Sequence, residues 1–374
     1  MNKKVIVAGH ICLDITPLFP PQKGMKVSDI LLPGKLIEME GVNVNTGGAV
    51  ANTGLAMKLL GVDVSLMGKV GNDTFGEMIL NILDKYDANT GMIVADNEST
   101  SYSVVLAMPG IDRIFLHNPG ANCTFCAADI SKKDMEGTAL LHFGYPPLMK
   151  SMYENEGKEL VCLMKKAKDY GVATSLDMAA VDENSSAGRV DWNTIIRNVI
   201  PYVDFFVPSV EELCFMLDKE RFKTWCDRAD GRDITEILDI DKDVKPLADI
   251  CMAYGAKILL IKCGAAGMYY RTGDVEVLKS VGEGAGLNPN LWANKEGFEK
   301  SYIPDRILSG TGAGDTSIAA FLTAMLEGGP IEEAMHLAAA EGASCVASFD
   351  ALGGIKTLEK LRQKIADGWK KYDD

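Results

Sequence analysis

Ser309-Gly310-Thr311-Gly312-Ala313-Gly314-Asp315-Thr316-Ser317 sets three alternating glycines directly before an apolar run, Ile318 to Leu326, which stops at Gly328-Gly329-Pro330. The run reads as a buried helix, and the glycines as a loop whose bare backbone can turn tightly and approach a ligand. The first amides of a helix have no partner within it, and its dipole favours negative charge there. Asp315 falls in that first turn, so a carboxylate stands beside a prepared anion site. This pairing suits phosphoryl transfer, in which a base takes a proton while backbone donors hold charge growing on phosphate. Two other readings use the same residues. One is a turn closed by an N-terminal helix carboxylate. The other is a dinucleotide-binding loop, which would put its third glycine one place later, open a βαβ unit and carry an acidic residue about 20 positions on.

Working outward, the chain alternates strands and helices. Val5–Ala8, Val64–Met67, Ala139–Phe143, Ala173–Leu176, Val203–Val207 and Ile258–Ile261 read as strands. Helices are expected after Gly48, over 154–170, from Ser209, and over 246–254. That rhythm predicts a three-layer α/β/α domain with a mainly parallel sheet. Two β-rich stretches interrupt it, at about 15–41 (with a short strand at 35–39) and at 101–117, where Pro109-Gly110-Ile111-Asp112 reads as a turn. Together they suggest one small sheet folded over a cleft, within a single domain spanning 1–374. A hairpin is expected around Thr272-Gly273-Asp274, and surface excursions over 219–244 and 280–302.

With 374 residues, 47% of them hydrophobic and 24% charged, the chain reads as a soluble globular protein with a large core. A net charge of −14 speaks against nucleic acid or an anionic membrane as a main partner. No apolar run approaches the roughly 20 residues that span a bilayer. The nine scattered cysteines point to reduced thiols and the cytoplasm. Cys123-Thr124-Phe125-Cys126 lacks a second pair or a histidine to complete a zinc set. None of the four histidines has metalloprotease spacing, and no GxxxxGK[ST] loop occurs, so a P-loop kinase is excluded.

Further chemistry-bearing positions fall at strand ends. Asp14 follows the first strand, where open α/β sheets bind ligands, or it is a turn residue. Gly47-Gly48 opens a helix carrying Asn52, which can donate and accept. Lys262, Gly264 and Gly267 follow a buried strand, either to let a nucleotide lie on bare backbone or to turn the chain. Ser209-Val210-Glu211-Glu212 matches a capping box, and Glu212 is equally placed to orient a hydrated Mg²⁺.

From Val5 to about Gly354 these pieces resemble the ribokinase-like (PfkB) carbohydrate kinases. Gly47-Gly48 with Asn52 resembles that family's N-terminal signature, and Gly312-Ala313-Gly314-Asp315 its C-terminal one. The resemblance implies a ribokinase-like fold with a β-rich lid, and ATP-dependent phosphorylation of a hydroxymethyl group on a small unphosphorylated sugar. It makes Asp315 the base and Gly312, Ala313 and Gly314 the anion hole. Asp14, Gly47, Gly48 and Asn52 fall to the sugar, Lys262, Gly264 and Gly267 to the nucleotide, and Glu212 to Mg²⁺ through water. A nucleoside kinase of the same fold, or a silent sugar- or nucleotide-binding sensor, are the alternatives. A homodimer through the lid is also implied. Ser309-Gly310 replaces the family's Asp-Thr, so a monovalent cation is not expected to be held strongly. Ser209 stands where the family has Asn, and Ala49 where ribokinases have Lys, so ribose is not favoured.

Overall fold

The computed structural model describes residues 3–20, 32–108 and 114–372. The turn expected at 109–112 and the basic residues Lys23, Lys26 and Arg113 lie outside them. In chain order the strands are β1 (Lys4–Gly9), β2 (Cys12–Leu18), β3 (Gly41–Gly47), β4 (Asp63–Met67), β5 (Lys69–Gly71), β6 (Ile93–Ala95) and β7 (Tyr102–Leu106). They continue as β8 (Ile114–Asn118), β9 (Thr138–Gly144), β10 (Ala173–Asp177), β11 (Phe205–Phe206), β12 (Ile258–Lys262), β13 (Gly267–Thr272) and β14 (Glu296–Lys300). The main sheet runs β14-β13-β12-β11-β10-β9-β1-β4, parallel from β4 to β12, with β13 and β14 antiparallel at one edge.

Every residue of β9 and β10 is buried, as expected of parallel strands covered on both faces. In β1, Val5 and Val7 join one core while Ile6 and Ala8 join the other, the two-residue period of a strand. The first core is closed by α1 (Ala49–Leu59), α2 (Thr74–Asp84), α8 (Ala313–Glu327), α9 (Ile331–Cys345) and α10 (Leu358–Ala366). The second is closed by α3 (Lys158–Asp169), α4 (Trp192–Val199), α5 (Val210–Leu217), α6 (Lys219–Ala229) and α7 (Lys245–Ala253). This is the expected three-layer α/β/α arrangement. Helix α8 is buried continuously from Asp315 to Leu326, which explains its lack of a polar stripe.

A second sheet has the order β3-β2-β7-β8, with β2 antiparallel to β3 and parallel to β7. It starts only three residues after β1, so Asp14 lies inside β2 rather than just beyond β1. The strand expected at 35–39 is irregular; its place is taken by β3, whose Val42 and Val44 alternate with polar residues against β2. A short parallel pair, β5 and β6, completes the strands among the described residues.

Three other local expectations fail for identifiable reasons. Thr272-Gly273-Asp274 is not a hairpin tip: the Asp274 carboxylate accepts from the Val277 amide at 2.9 Å and caps a helical turn, while the β12–β13 reversal is made by residues 264–266. The segment 280–302 is no mere excursion. It supplies edge strand β14 and drives Trp292, 1% exposed, against Phe205 and Phe321. Within 219–244, Trp225 is likewise buried and donates to Asp243 at 3.0 Å, so the charged face of α6 covers an apolar anchor.

Candidate active site

Gly312 is the N-cap of α8 in the left-handed region (φ 75°). A side chain there would be strained, and its Cβ would stand 2.2 Å from Cβ of Ala351, so the loop 346–355 can close on the glycine loop only because the position is bare. Asp315 is the third residue of α8 and is 4% exposed. Three side chains donate to its carboxylate: Asn52 Nδ2 at 3.0 Å, Thr53 Oγ1 at 3.2 Å, and the Tyr145 hydroxyl at 2.8 and 2.9 Å to the two oxygens. Asn52 and Thr53 come from α1, which packs along α8. Tyr145 comes from the C-terminal end of β9.

The same carboxylate faces a cavity of about 710 Å³ whose wall also includes Asp14, Gly48, Asn52, Tyr145 and Gly312. Gly48 caps α1 at φ 88°, and a Cβ on it would strike the His10 carbonyl at 2.5 Å. Gly47 serves Asp14: a Cβ there would stand 2.2 Å from Oδ2 of Asp14. The Cys12 thiol donates to Oδ1 of Asp14 at 3.3 Å. Paired glycines thus bring one carboxylate and the N-terminus of α1 to the cavity wall.

Beside the glycine loop, Lys262 Nζ pairs with Asp177 Oδ1 at 2.7 Å, with the Asp177 side chain fully buried. A Cβ on Gly314 would lie 3.7 Å from that Nζ, so the ammonium stands against the start of α8. Burial pushes Asp177 up to about 7 even though Lys262 pulls it down. Burial works against the charge of Lys262, but Asp177, then Glu212 and Asp315, hold its ammonium above the ordinary range. The negative charge of a transferred phosphate would find this cation close to the loop amides.

Glu212 forms the expected capping box: its Oε2 accepts from the Ser209 amide at 2.8 Å, and Ser209 Oγ accepts from the Glu212 amide at 3.3 Å. Its charge is also felt at Lys262, Asp177 and Tyr145. No cluster of three or more metal-ligating side chains occurs among the described residues. Gly264 and Gly267 are not in the cavity wall. Their bare Cα atoms accommodate Thr235 and the Glu299 carbonyl at the β12–β13 turn.

Two partners of Asp315 escape the sequence reading. Thr53 adjoins Asn52, but its fully buried hydroxyl looks like any helix threonine until α8 is placed beside α1. Tyr145 carried a usable signal, since it directly follows buried strand β9, at the strand ends where open α/β sheets bind ligands. His10 and His117 also line the cavity, with ring centroids 5.2 Å apart, and burial lowers His10 to about 3, which keeps it neutral.

A glycine loop at a helix start, a buried carboxylate facing a cavity and a lysine against the same helix start thus lie together. The profile of the pfkB family of carbohydrate kinases matches residues 3–357, and the chain belongs to that family. It is accordingly an ATP-dependent carbohydrate kinase. A 5-dehydro-2-deoxygluconokinase of Clostridium beijerinckii is 23% identical over 99% of this chain and 95% of its own. The ribokinase of Arabidopsis thaliana, solved with ribose and ATP, superposes with a TM-score of 0.70 at 19% identity, covering 97% of this chain and 98% of that one. A putative ribokinase II from E. coli, solved with ATP and Mg²⁺, gives 0.68 at 20% identity, covering 98% and 99%.

Proposed function

We propose that the protein transfers the γ-phosphate of ATP to a hydroxymethyl group of a small unphosphorylated sugar bound in the cavity beneath the second sheet. That sheet, made of β2, β3, β7 and β8, serves as the lid of a single domain. The observation that carries the reading is that Asp315 and Gly312 lie in the cavity wall at the start of α8, with the Lys262 ammonium standing against that same helix start. Asp315 takes the acceptor proton, and the amides of Gly312, Ala313 and Gly314 together with Lys262 meet the charge on the phosphoryl oxygens. Asp14, Gly48 and Asn52 orient sugar hydroxyls, Gly47 leaving room for the Asp14 carboxylate. Lys262 serves the phosphate end of the nucleotide. Gly264 and Gly267, which shape the turn next to it, serve the nucleotide only by keeping that turn compact. Mg²⁺ bound with ATP supplies charge neutralisation of its phosphates, and Glu212 orients the water around it.

An ADP-formation screen over pentoses, hexoses, keto-deoxy acids and nucleosides tests this reading. A sugar is expected to raise the rate above the acceptor-free level. Preference for a nucleoside would favour the same-fold alternative, and no response from any acceptor would favour a binding sensor. Among the described residues Lys150 is the one lysine lining the cavity, and it pairs with Glu154 at 3.4 Å. A preference for a phosphorylated sugar over its parent would therefore contradict the assignment.

The capping box gives Glu212 a second duty, and one substitution separates the two. Glu212→Gln is expected to raise the Mg²⁺ concentration needed for half-maximal rate and to lower kcat, since glutamine keeps the cap but not the charge. An unchanged Mg²⁺ dependence would leave Glu212 as a cap alone. Potassium is expected to matter little. The Ser309 hydroxyl is turned onto Thr311, 2.9 Å from its Oγ1 and accepting from its amide at 3.1 Å, and supplies no negative charge for a cation. Exchanging tetramethylammonium for potassium at constant ionic strength should change kcat by less than about threefold. A tenfold activation would show that carbonyls alone suffice.

The family context and reduced cysteines fit a cytoplasmic enzyme: all nine thiols are free. No helix among the described residues is long and apolar enough to cross a membrane. Exposed Val42 and Leu116, on the two outer strands of the lid sheet, suit a homodimer formed through it.

A further inference from the structure

Asp315 presents a difficulty as a base, because both of its oxygens are already satisfied. Thr53 reaches Oδ1 from the protein interior and Asn52 reaches Oδ2 from α1. The Tyr145 hydroxyl spans both oxygens at 2.8 and 2.9 Å. A phenol has one proton, and placed across both oxygens it blocks the approach that an acceptor hydroxyl would use to either of them. The hydroxyl stays a donor: burial first, and the adjoining Asp315 carboxylate second, raise it well above the ordinary tyrosine range.

The backbone that delivers Tyr145 is unusual. It adopts φ 68°, ψ 44°, the left-handed region that few non-glycine residues hold. It is set between Gly144, whose close approach to Ala49 leaves no room for a Cβ, and the Pro146-Pro147 pair. Such a conformation persists where the surroundings over-determine it. Here its consequence is to aim a long, rigid side chain across the cavity wall at α8. Asn52 and Thr53 are fixed on a packed helix, whereas Tyr145 hangs from a loop.

We propose that the Tyr145 hydroxyl holds the acceptor's place on Asp315 until a sugar hydroxyl displaces it, and thereby protects ATP from water. This rests on Asp315 being the base. In productive turnover the sugar oxygen bonds to the γ-phosphorus, the bond to the ADP oxygen breaks, and the sugar proton passes to Asp315. In the unproductive reaction a water does the same: its oxygen joins phosphorus, ADP leaves, and a water proton goes to Asp315, giving ADP and inorganic phosphate. With Tyr145 in place, the phenol stands between a water and the carboxylate that would receive that proton. A sugar held by Asp14 and Asn52 is positioned to replace the phenol; a lone water is not.

The test needs no identified acceptor. Phosphate release from Mg·ATP without sugar is compared among wild type, Tyr145→Phe, and Tyr145→Phe combined with Asp315→Asn. Tyr145→Phe is expected to release phosphate at least about fivefold faster than wild type. ATP affinity by calorimetry should stay within about twofold. The double variant should fall back to the wild-type rate or below. A misfolded variant would lose rate rather than gain it, so the direction separates this role from a merely structural one. Unchanged or slower release in Tyr145→Phe, or a rise that survives Asp315→Asn, would overturn the proposal. If wild type proves to phosphorylate no acceptor, the kinase reading fails separately, and these acceptor-free rates still decide the role of Tyr145.

Discussion

Asp315→Asn is expected to lower kcat by about 10²–10⁴, the usual cost of removing a general base, while sugar and ATP still bind. Asparagine has almost the same shape, and its carbonyl can still accept from Thr53 or Asn52. The surroundings therefore have reason to stay in place. What is lost is a group able to take a proton as the acceptor oxygen attacks. The glycine loop and Lys262 would still gather phosphate charge, so residual turnover above the uncatalysed rate is expected. Single-turnover rates with acceptor and nucleotide affinities measured side by side check both halves. Retention of more than about a tenth of kcat would remove Asp315 from the role of base.

Lys262→Met should cost stability as well as rate, and the cost should depend on pH. Removing one partner of a buried ion pair leaves a desolvated charge and commonly costs about 3–5 kcal/mol. Asp177 has a way to escape that penalty, which is to stay protonated. Its pKa in the folded protein is already raised from 3.8 to about 7, chiefly by burial. A carboxyl raised in this way binds its proton more tightly folded than unfolded, so its contribution to stability falls as pH rises from near 4 toward the folded value. Without Lys262 the folded value moves higher, and the fall continues beyond pH 7 at up to about 1.4 kcal/mol per unit. Urea unfolding should then show a small difference between variant and wild type at pH 5.5 and a larger one at pH 8.5. A difference that is the same at both pH values would mean that the pair is not a coupled, buried one.

The parts of the fold that are legible in the sequence share one physical property: a local pattern with a single use. Val5–Ala8 and Ala139–Phe143 are apolar on both faces, which only a covered parallel strand satisfies. The glycines before Ile318 mark a helix start, and Gly312 proves bare because Ala351 needs its space. The misread segments have local patterns with two uses. Thr272-Gly273-Asp274 suits a hairpin or a helix cap, and the choice falls to the cap because Asp274 finds the Val277 amide. The polar stretch 280–302 reads as surface because the partners of Trp292, Phe205 and Phe321, lie far away in sequence. The same distance hid two of the carboxylate's three donors. Asn52 could be chosen from its own glycine-led helix and Tyr145 suspected from its strand end, but their convergence with Thr53 on one carboxylate shows only when α1, β9 and α8 meet. Glu212 was legible as a cap, and the capping box forms; its part toward a metal falls to the Mg²⁺ dependence of Glu212→Gln.

The central claim, that Asp315 activates a sugar hydroxymethyl for attack on ATP, is tested most directly by phosphorus NMR of the product formed from the best acceptor in the screen. With wild-type enzyme, a phosphate monoester coupled to the two protons of a primary carbon should grow in step with ADP, and with Asp315→Asn that signal should build at least about a hundredfold more slowly. A product phosphorylated at another position, or one formed by Asp315→Asn at a rate near that of wild type, would contradict the account.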